Sequence, residues 1–207
     1  MPTCYIVGAG EFTARGIAPA AGDLLIAADG GFAPLAALGL RPDLLLGDFD
    51  SLPVRPQGVP TQTFPVEKDD TDLGLALREG FARGYREFAL YGAGGGRMDH
   101  TLANLQLMGG MSRQGAALVM VCPAFDVHTV TDGTLALPPR PQGTLVSVFC
   151  HGAQAEGVTL RGLQYPLEGA LLTCDHPLGV SNAYTKAQAA SVTVARGTLL
   201  VYVALDA

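Results

Sequence analysis

The chain has no tryptophan, and only 15% of its 207 residues are charged. Charge this sparse excludes a disordered protein, which needs many charges and few apolar groups. The 48% of hydrophobic residues supplies a core instead. No basic run appears and the formal net charge is −6, so a general grip on nucleic acid is excluded. No apolar run reaches the ~18 residues that a membrane span requires, so no membrane partner is expected. The four cysteines, Cys4, Cys122, Cys150 and Cys174, form no Cys-x-x-Cys pair. Three of them sit inside apolar runs, where a thiol behaves as a small hydrophobe. The first seven residues lack the basic start and long apolar stretch of a signal peptide. A soluble, cytoplasmic protein with reduced thiols is therefore the expectation.

Aspartate is what the chain has in quantity. Of its 19 acidic side chains, 13 fall in residues 1–100. Eight aspartates lie between Asp29 and Asp99, and most stand where an apolar run stops. Composition alone would allow a solvated acidic face. Their placement at run ends argues for a site.

Read in order, residues 3–7 form a buried strand that ends in Gly8-Ala9-Gly10. That Gly-x-Gly lacks the third glycine of a dinucleotide fingerprint and reads as a tight turn. Residues 24–28 form a second strand, closed by Asp29-Gly30-Gly31, and a short helix follows until Gly39. Residues 44–46 are a third strand, too apolar to face water on either side. Short apolar strands alternating with helices predict a parallel sheet covered on both faces.

Gly47-Asp48-Phe49-Asp50-Ser51 comes next. In extended backbone, residues two apart share a side, so Asp48 and Asp50 would hold two carboxylates together. Like charges that close repel unless a proton or cation intervenes, and a hard ion such as Mg²⁺ suits them. A turn or helix cap at Asp50-Ser51 is the alternative. After a strand at residues 61–64, Lys68-Asp69-Asp70-Thr71-Asp72 precedes a helical apolar stripe from Leu73. Asp69 or Asp70 reads as the N-cap. Capping does not explain three aspartates around one lysine, whereas a metal between Asp72 and the Asp48/Asp50 pair does.

Residues 88–91 are another strand, and Gly92-Ala93-Gly94-Gly95-Gly96 leads into a helix from about Asp99. A glycine loop between strand and helix lets backbone N–H groups approach phosphate oxygens. It lacks the Gly-x₄-Gly-Lys-Ser/Thr of a P-loop. Arg97 offers a planar fork for phosphate. Asp99 and His100 cap the helix, contact a nucleotide, or do both. Beyond a strand at residues 117–122 the pattern becomes short strands with turn residues between them. Hairpin turns are expected at Asp132-Gly133 and at residues 195–198, and a linker at residues 138–143. The C-terminal part reads as a small all-β unit. Gly179-Val180-Ser181-Asn182 there is an ordinary loop or a ligand contact.

In this order, Asp-Gly-Gly, Gly-Asp-Phe-Asp-Ser, Lys-Asp-x-Thr-Asp, Gly-Gly-Arg-x-Asp-His and a late Ser-Asn resemble the thiamine pyrophosphokinase (thiamine diphosphokinase) family, over nearly the whole chain. The resemblance implies an N-terminal Rossmann-like α/β domain at residues 1–136 and a C-terminal β-sandwich at 137–207. It implies a homodimer with active sites at the subunit interface, and transfer of the diphosphoryl group of ATP to thiamine, giving thiamine diphosphate and AMP. Asp48, Asp50 and Asp72 then match the Mg²⁺ ligands, with Asp50, Asp72 and Arg97 catalytic. Asp29, Gly30, Gly31, Thr71, Gly94, Gly95, Arg97, Asp99 and His100 match the ATP side, and Lys68 is placed toward phosphate. Ser181 and Asn182 match the thiamine pocket, with Tyr184 as the candidate to stack on it. Either Asp72 or Asp50 would orient or deprotonate the attacking hydroxyl. Two rivals are a diphosphokinase for a pterin-type alcohol and a non-catalytic thiamine or nucleotide sensor.

Overall fold

The computed structural model describes residues 1–47, 58–63 and 70–205. The chain is mixed α/β and divides into two compact units: Met1–Leu107 with Met120–Pro123, and Met108–Val119 with Ala124–Ala207. Two elements, α3 (Met98–Ser112) and β6 (Ala117–Val121), run through the points of division. Among the described residues no helix is long and apolar enough to cross a membrane.

The first unit is built on five parallel strands. They are β1 (Thr3–Val7), β2 (Leu24–Ala28), β3 (Leu44–Gly47), β4 (Thr61–Thr63) and β5 (Glu87–Tyr91), in the order β4-β3-β2-β1-β5. All five residues of β2 and all four of β3 are buried, as apolar strands without alternation require. The strands are joined through α1 (Phe32–Ala37) and α2 (Asp72–Ala82). Helix α2 buries Leu73, Ala76, Leu77 and Gly80, the stripe read from the sequence. Gly80 lets it approach closely, since a Cβ there would lie 2.7 Å from Cys4 Sγ. The N-cap of α2 is a correction: it is Thr71, whose Oγ1 accepts from Gly74 N at 3.0 Å, and not Asp69 or Asp70. Asp69 lies outside the described residues.

The second unit is antiparallel. Its strands β7 (Phe125–Leu137), β8 (Leu145–Arg161), β9 (Leu167–Thr173), β10 (Asn182–Ala183) and β11 (Ala190–Ala204) pair in the order β10-β8-β11-β7, with β9 also on β8. The expected hairpin turns are absent. Instead, β7, β8 and β11 run unbroken for 13, 17 and 15 residues. The turn residues sit in bulges: β11 shifts register between Val194 and Thr198 yet keeps β7 as its partner on both sides. Asp132 takes φ 46°, and its Oδ1 accepts from Gly197 N at 2.7 Å. Polar residues tolerant of left-handed backbone mark bulges as readily as reversals. The core of this unit includes Val130, Val148, Leu160, Tyr184, Val192 and Leu199.

Candidate active site

In a parallel sheet, loops at the carboxyl ends of the strands gather on one side, where ligands bind. Here β1 ends in Gly8-Ala9-Gly10, β2 in Asp29 and β5 in residues 92–96. Together with the start of α2, they enclose a cleft of about 860 Å³ within the first unit.

Two glycine loops form one wall by backbone contact alone. Gly8 N donates to Tyr91 O at 2.8 Å, Gly10 N to Gly92 O at 2.8 Å, and Glu11 N to Gly94 O at 3.0 Å. A Cβ on Gly10 would fall 2.7 Å from Gly92 O and 2.8 Å from Gly94 O, so only glycine lets the strands' ends zip together. Sequence reasoning treated Gly8-Ala9-Gly10 as a plain turn. The findable signal was a glycine pair directly after a buried parallel strand.

Asp29 enters the cleft with φ 46°, at the start of a 3₁₀ turn, Asp29–Gly31. A Cβ on Gly31 would sit 1.8 Å from Val7 O. Gly30 and Gly31 thus pack the turn against β1 and its loop, and the cleft receives Asp29 from this motif.

At the start of α2, Asp70, Thr71 and Asp72 all line the cleft. Asp70 does not cap the helix. Its Oδ1 accepts from Thr71 N at 2.9 Å, and its Oδ2 accepts from Arg78 Nε at 2.8 Å and also from Arg78 Nη2. Gly74 makes room for this carboxyl, because a Cβ there would lie 2.2 Å from Asp70 Oδ1.

From the next motif, Gly95, Gly96, Arg97 and His100 line the cleft. Gly94 is buried behind them, its missing Cβ facing Cys122 Sγ and Met120 Sδ. Arg97 holds Asp99 with Nε at 3.2 Å and Nη2 at 2.6 Å. The donated hydrogen bonds keep the Asp99 carboxyl at a pKa of about 2. Asn104, one turn beyond His100 on α3, also reaches the cleft, and sequence reasoning missed it. Glu11 was missed likewise.

Hard oxygen donors suit Mg²⁺, and Asp29, Asp70 and Asp72 supply them on this cleft. Asp70 is already engaged by Arg78. Among the described residues no group of three or more His, Cys, Asp or Glu is arranged around a common metal position. Asp48, Asp50 and Lys68 lie outside the described residues. The donor chemistry fits the ion, and Asp72 is the expected ligand that the structure places on the cleft.

Ser181 and Asn182 belong to the second unit. Ser181 is exposed with φ 60°, and its N–H donates to Ser147 Oγ at 3.1 Å. Asn182 is 2% exposed. Its Oδ1 accepts from Tyr165 N and Ala183 N, both at 2.9 Å, and its Nδ2 donates to Tyr165 O at 2.7 Å. It therefore pins the backbone of Tyr165, a ring 60% exposed. Tyr184 is a correction. It is buried in the core and its hydroxyl donates to Pro138 O at 2.9 Å, so it has no face to stack on a ligand.

Comparison with known proteins adds independent findings. The family model for the thiamin pyrophosphokinase catalytic domain matches residues 20–120, and that for the thiamin pyrophosphokinase vitamin B1 binding domain matches residues 133–199. A thiamine pyrophosphokinase of Bacillus subtilis is 25% identical over 189 residues, 88% of each chain. A solved thiamin pyrophosphokinase family protein from Enterococcus faecalis is 28% identical, with TM-score 0.82 over the whole of both chains. The solved Bacillus subtilis thiamine pyrophosphokinase is 23% identical. Its TM-score of 0.88, over 99% of this chain and 100% of that one, shows a shared fold.

Proposed function

This chain belongs to the thiamin pyrophosphokinase family, and from that premise we propose how it works as a thiamine diphosphokinase. It transfers the diphosphoryl group of ATP to the hydroxyl of thiamine, giving thiamine diphosphate and AMP. The observation that carries the reading is the cleft. Asp29, Thr71, Asp72, Gly95, Arg97 and His100, drawn from three motifs far apart in sequence, line one cavity at the carboxyl ends of parallel strands.

The first unit serves as a Rossmann-like nucleotide domain, a reading supported by the parallel order β4-β3-β2-β1-β5, and it ends near Pro123 rather than at residue 136 because β7 belongs to the second unit. The second unit, which includes β7, is the part that takes thiamine and dimerises. Exposed Leu145, Phe149, Leu171 and Leu178 on the second unit support a homodimer. Four free thiols fit a cytoplasmic location.

Diphosphoryl transfer asks a protein mainly for positioning and charge neutralisation. Asp48, Asp50 and Asp72 would hold Mg²⁺, which would neutralise charge on the polyphosphate. Arg97 exchanges the Asp99 carboxylate for phosphate oxygens, a planar fork suited to both. Thr71 fixes the first turn of α2 so that Asp72 stays turned to the cleft. Asp72 or Asp50 accepts the proton of the attacking hydroxyl. Gly30, Gly31 and Gly94 shape the nucleotide side from behind, and Ser181 and Asn182 shape the thiamine side. Thiamine is a cation, so an acidic cleft favours its approach.

The test is to mix purified protein, ATP and Mg²⁺ with thiamine or with a pterin alcohol and follow AMP. AMP with thiamine alone is expected. AMP with the pterin alone would move the acceptor, and AMP with neither would leave a sensor.

A further inference from the structure

One wall of the cleft carries side-chain acceptors, which do not favour phosphate. Asn104 is 6% exposed and lines the cleft from α3. Its Nδ2 donates to Ala93 O at 2.6 Å. A carbonyl can only accept, so this bond settles which end of the amide is nitrogen. Among the described residues the amide oxygen accepts no hydrogen bond. That oxygen is not fully sealed, so solvent or a ligand can reach it. A polar atom on a side chain this buried costs free energy unless a partner reaches it. Because Asn104 lines the cleft, a molecule bound there can supply that partner.

Glu11 extends the same wall. Its carboxyl lies across Gly95, so close that a Cβ there would be 2.3 Å from Glu11 Cδ. An ionised carboxylate accepts and never donates, and it repels phosphate. The carbonyls of Gly92, Ala93 and Gly94 are already taken, by Gly10 N, Asn104 Nδ2 and Glu11 N. Arg97 and the N-terminus of the eleven-residue helix α2 supply side-chain and helix-end donors to the cleft.

We propose that Asn104 is a specificity-determining residue that reads the nucleoside end of the nucleotide. Its amide oxygen accepts a hydrogen bond from a nucleoside N–H or O–H, with the Glu11 carboxylate as a neighbouring acceptor and the polyphosphate running toward Arg97 and Thr71. The donors of an adenine nucleoside are its exocyclic amine and its ribose hydroxyls. This rests on ATP being the co-substrate, and it reverses the expectation that the glycine loop faces phosphate at Gly95.

The test is equilibrium binding by calorimetry, which needs no turnover. ATP is compared with three analogues that each lack one donor: purine riboside triphosphate, 2′-deoxy-ATP and 3′-deoxy-ATP. In the unaltered protein, at least one analogue should bind about ten-fold more weakly than ATP, the worth of one hydrogen bond. In Asn104→Ala, ATP should weaken by a similar factor, and the gap between ATP and that analogue should close. Which analogue responds tells base from sugar. A gap that persists in Asn104→Ala would make the residue a prop for Ala93 and overturn the proposal. So would three analogues that bind the unaltered protein as well as ATP does, a result independent of whether the variant folds. Weakened thiamine binding with ATP unaffected would overturn it too. Absence of AMP formation with thiamine would count against the kinase reading alone, since the binding series stands without it.

Discussion

Asp72 is the first residue of α2 and lines the cleft. Asp72→Asn keeps the shape and removes the charge. Turnover should fall about 10²- to 10³-fold, with the circular dichroism spectrum unchanged; near-normal AMP release would remove Asp72 from the machinery. The Arg97–Asp99 pair makes a second prediction at this scale. Hydrogen bonds from Arg97 hold the Asp99 pKa at about 2, against an ordinary value of 3.8. A depressed carboxylate pKa stabilises the folded form above the ordinary value, and that contribution is lost as pH falls through about 2. The pair is therefore intact at neutral pH and opens only in acid. In Arg97→Gln, the carboxyl titration of Asp99 followed by NMR should move up toward 3.8. An unmoved midpoint would mean that Asp99 has another cause for its low value. The residue scale is also where the sequence misled. Tyr184 was the candidate stacking ring, yet it is buried in the core with its hydroxyl tied to Pro138 O, 46 residues away, and nothing local announces that.

At the scale of the element, α2 was legible because its apolar spacing has the helical period and an acidic cluster precedes it. Its cap was not legible. Thr71 and Asp70 both suit an N-cap, and the choice was decided by Arg78, two turns along, which takes the Asp70 carboxyl. Thr71→Ala should cost about 1 kcal/mol in urea unfolding and also raise the KM for ATP, since the first turn carries Asp72. A loss of stability with an unchanged KM would make Thr71 a cap and nothing more. The long strands β7, β8 and β11 teach the complementary lesson. Asp132 and Gly197 carry turn chemistry, but the hydrogen bond between them closes a pair of bulges. Turn propensity states that the backbone can deviate. Pairing on both sides of the deviation decides whether it becomes a reversal or a kink.

For the whole molecule, the exposed apolar side chains of the second unit predict association. Sedimentation should give a dimer of a 21.4 kDa chain, and Phe149→Glu with Leu171→Glu should shift it to monomer. A monomer before any substitution would refute the dimer. By itself, the sequence determined the succession of apolar strands and helices in the first unit, and the family. These follow from local spacing, because an element's period and its ends are written within a few residues. Tertiary structure alone decided which member of each motif lines the cleft: Asp29 rather than Gly30 or Gly31, Gly95 rather than Gly94. It alone recruited Glu11 and Asn104 to the cleft. The reason is close approach across the chain. Gly10 touches Gly92, and Gly31 touches Val7, so the face a loop turns to the cavity is set by partners that no local pattern contains.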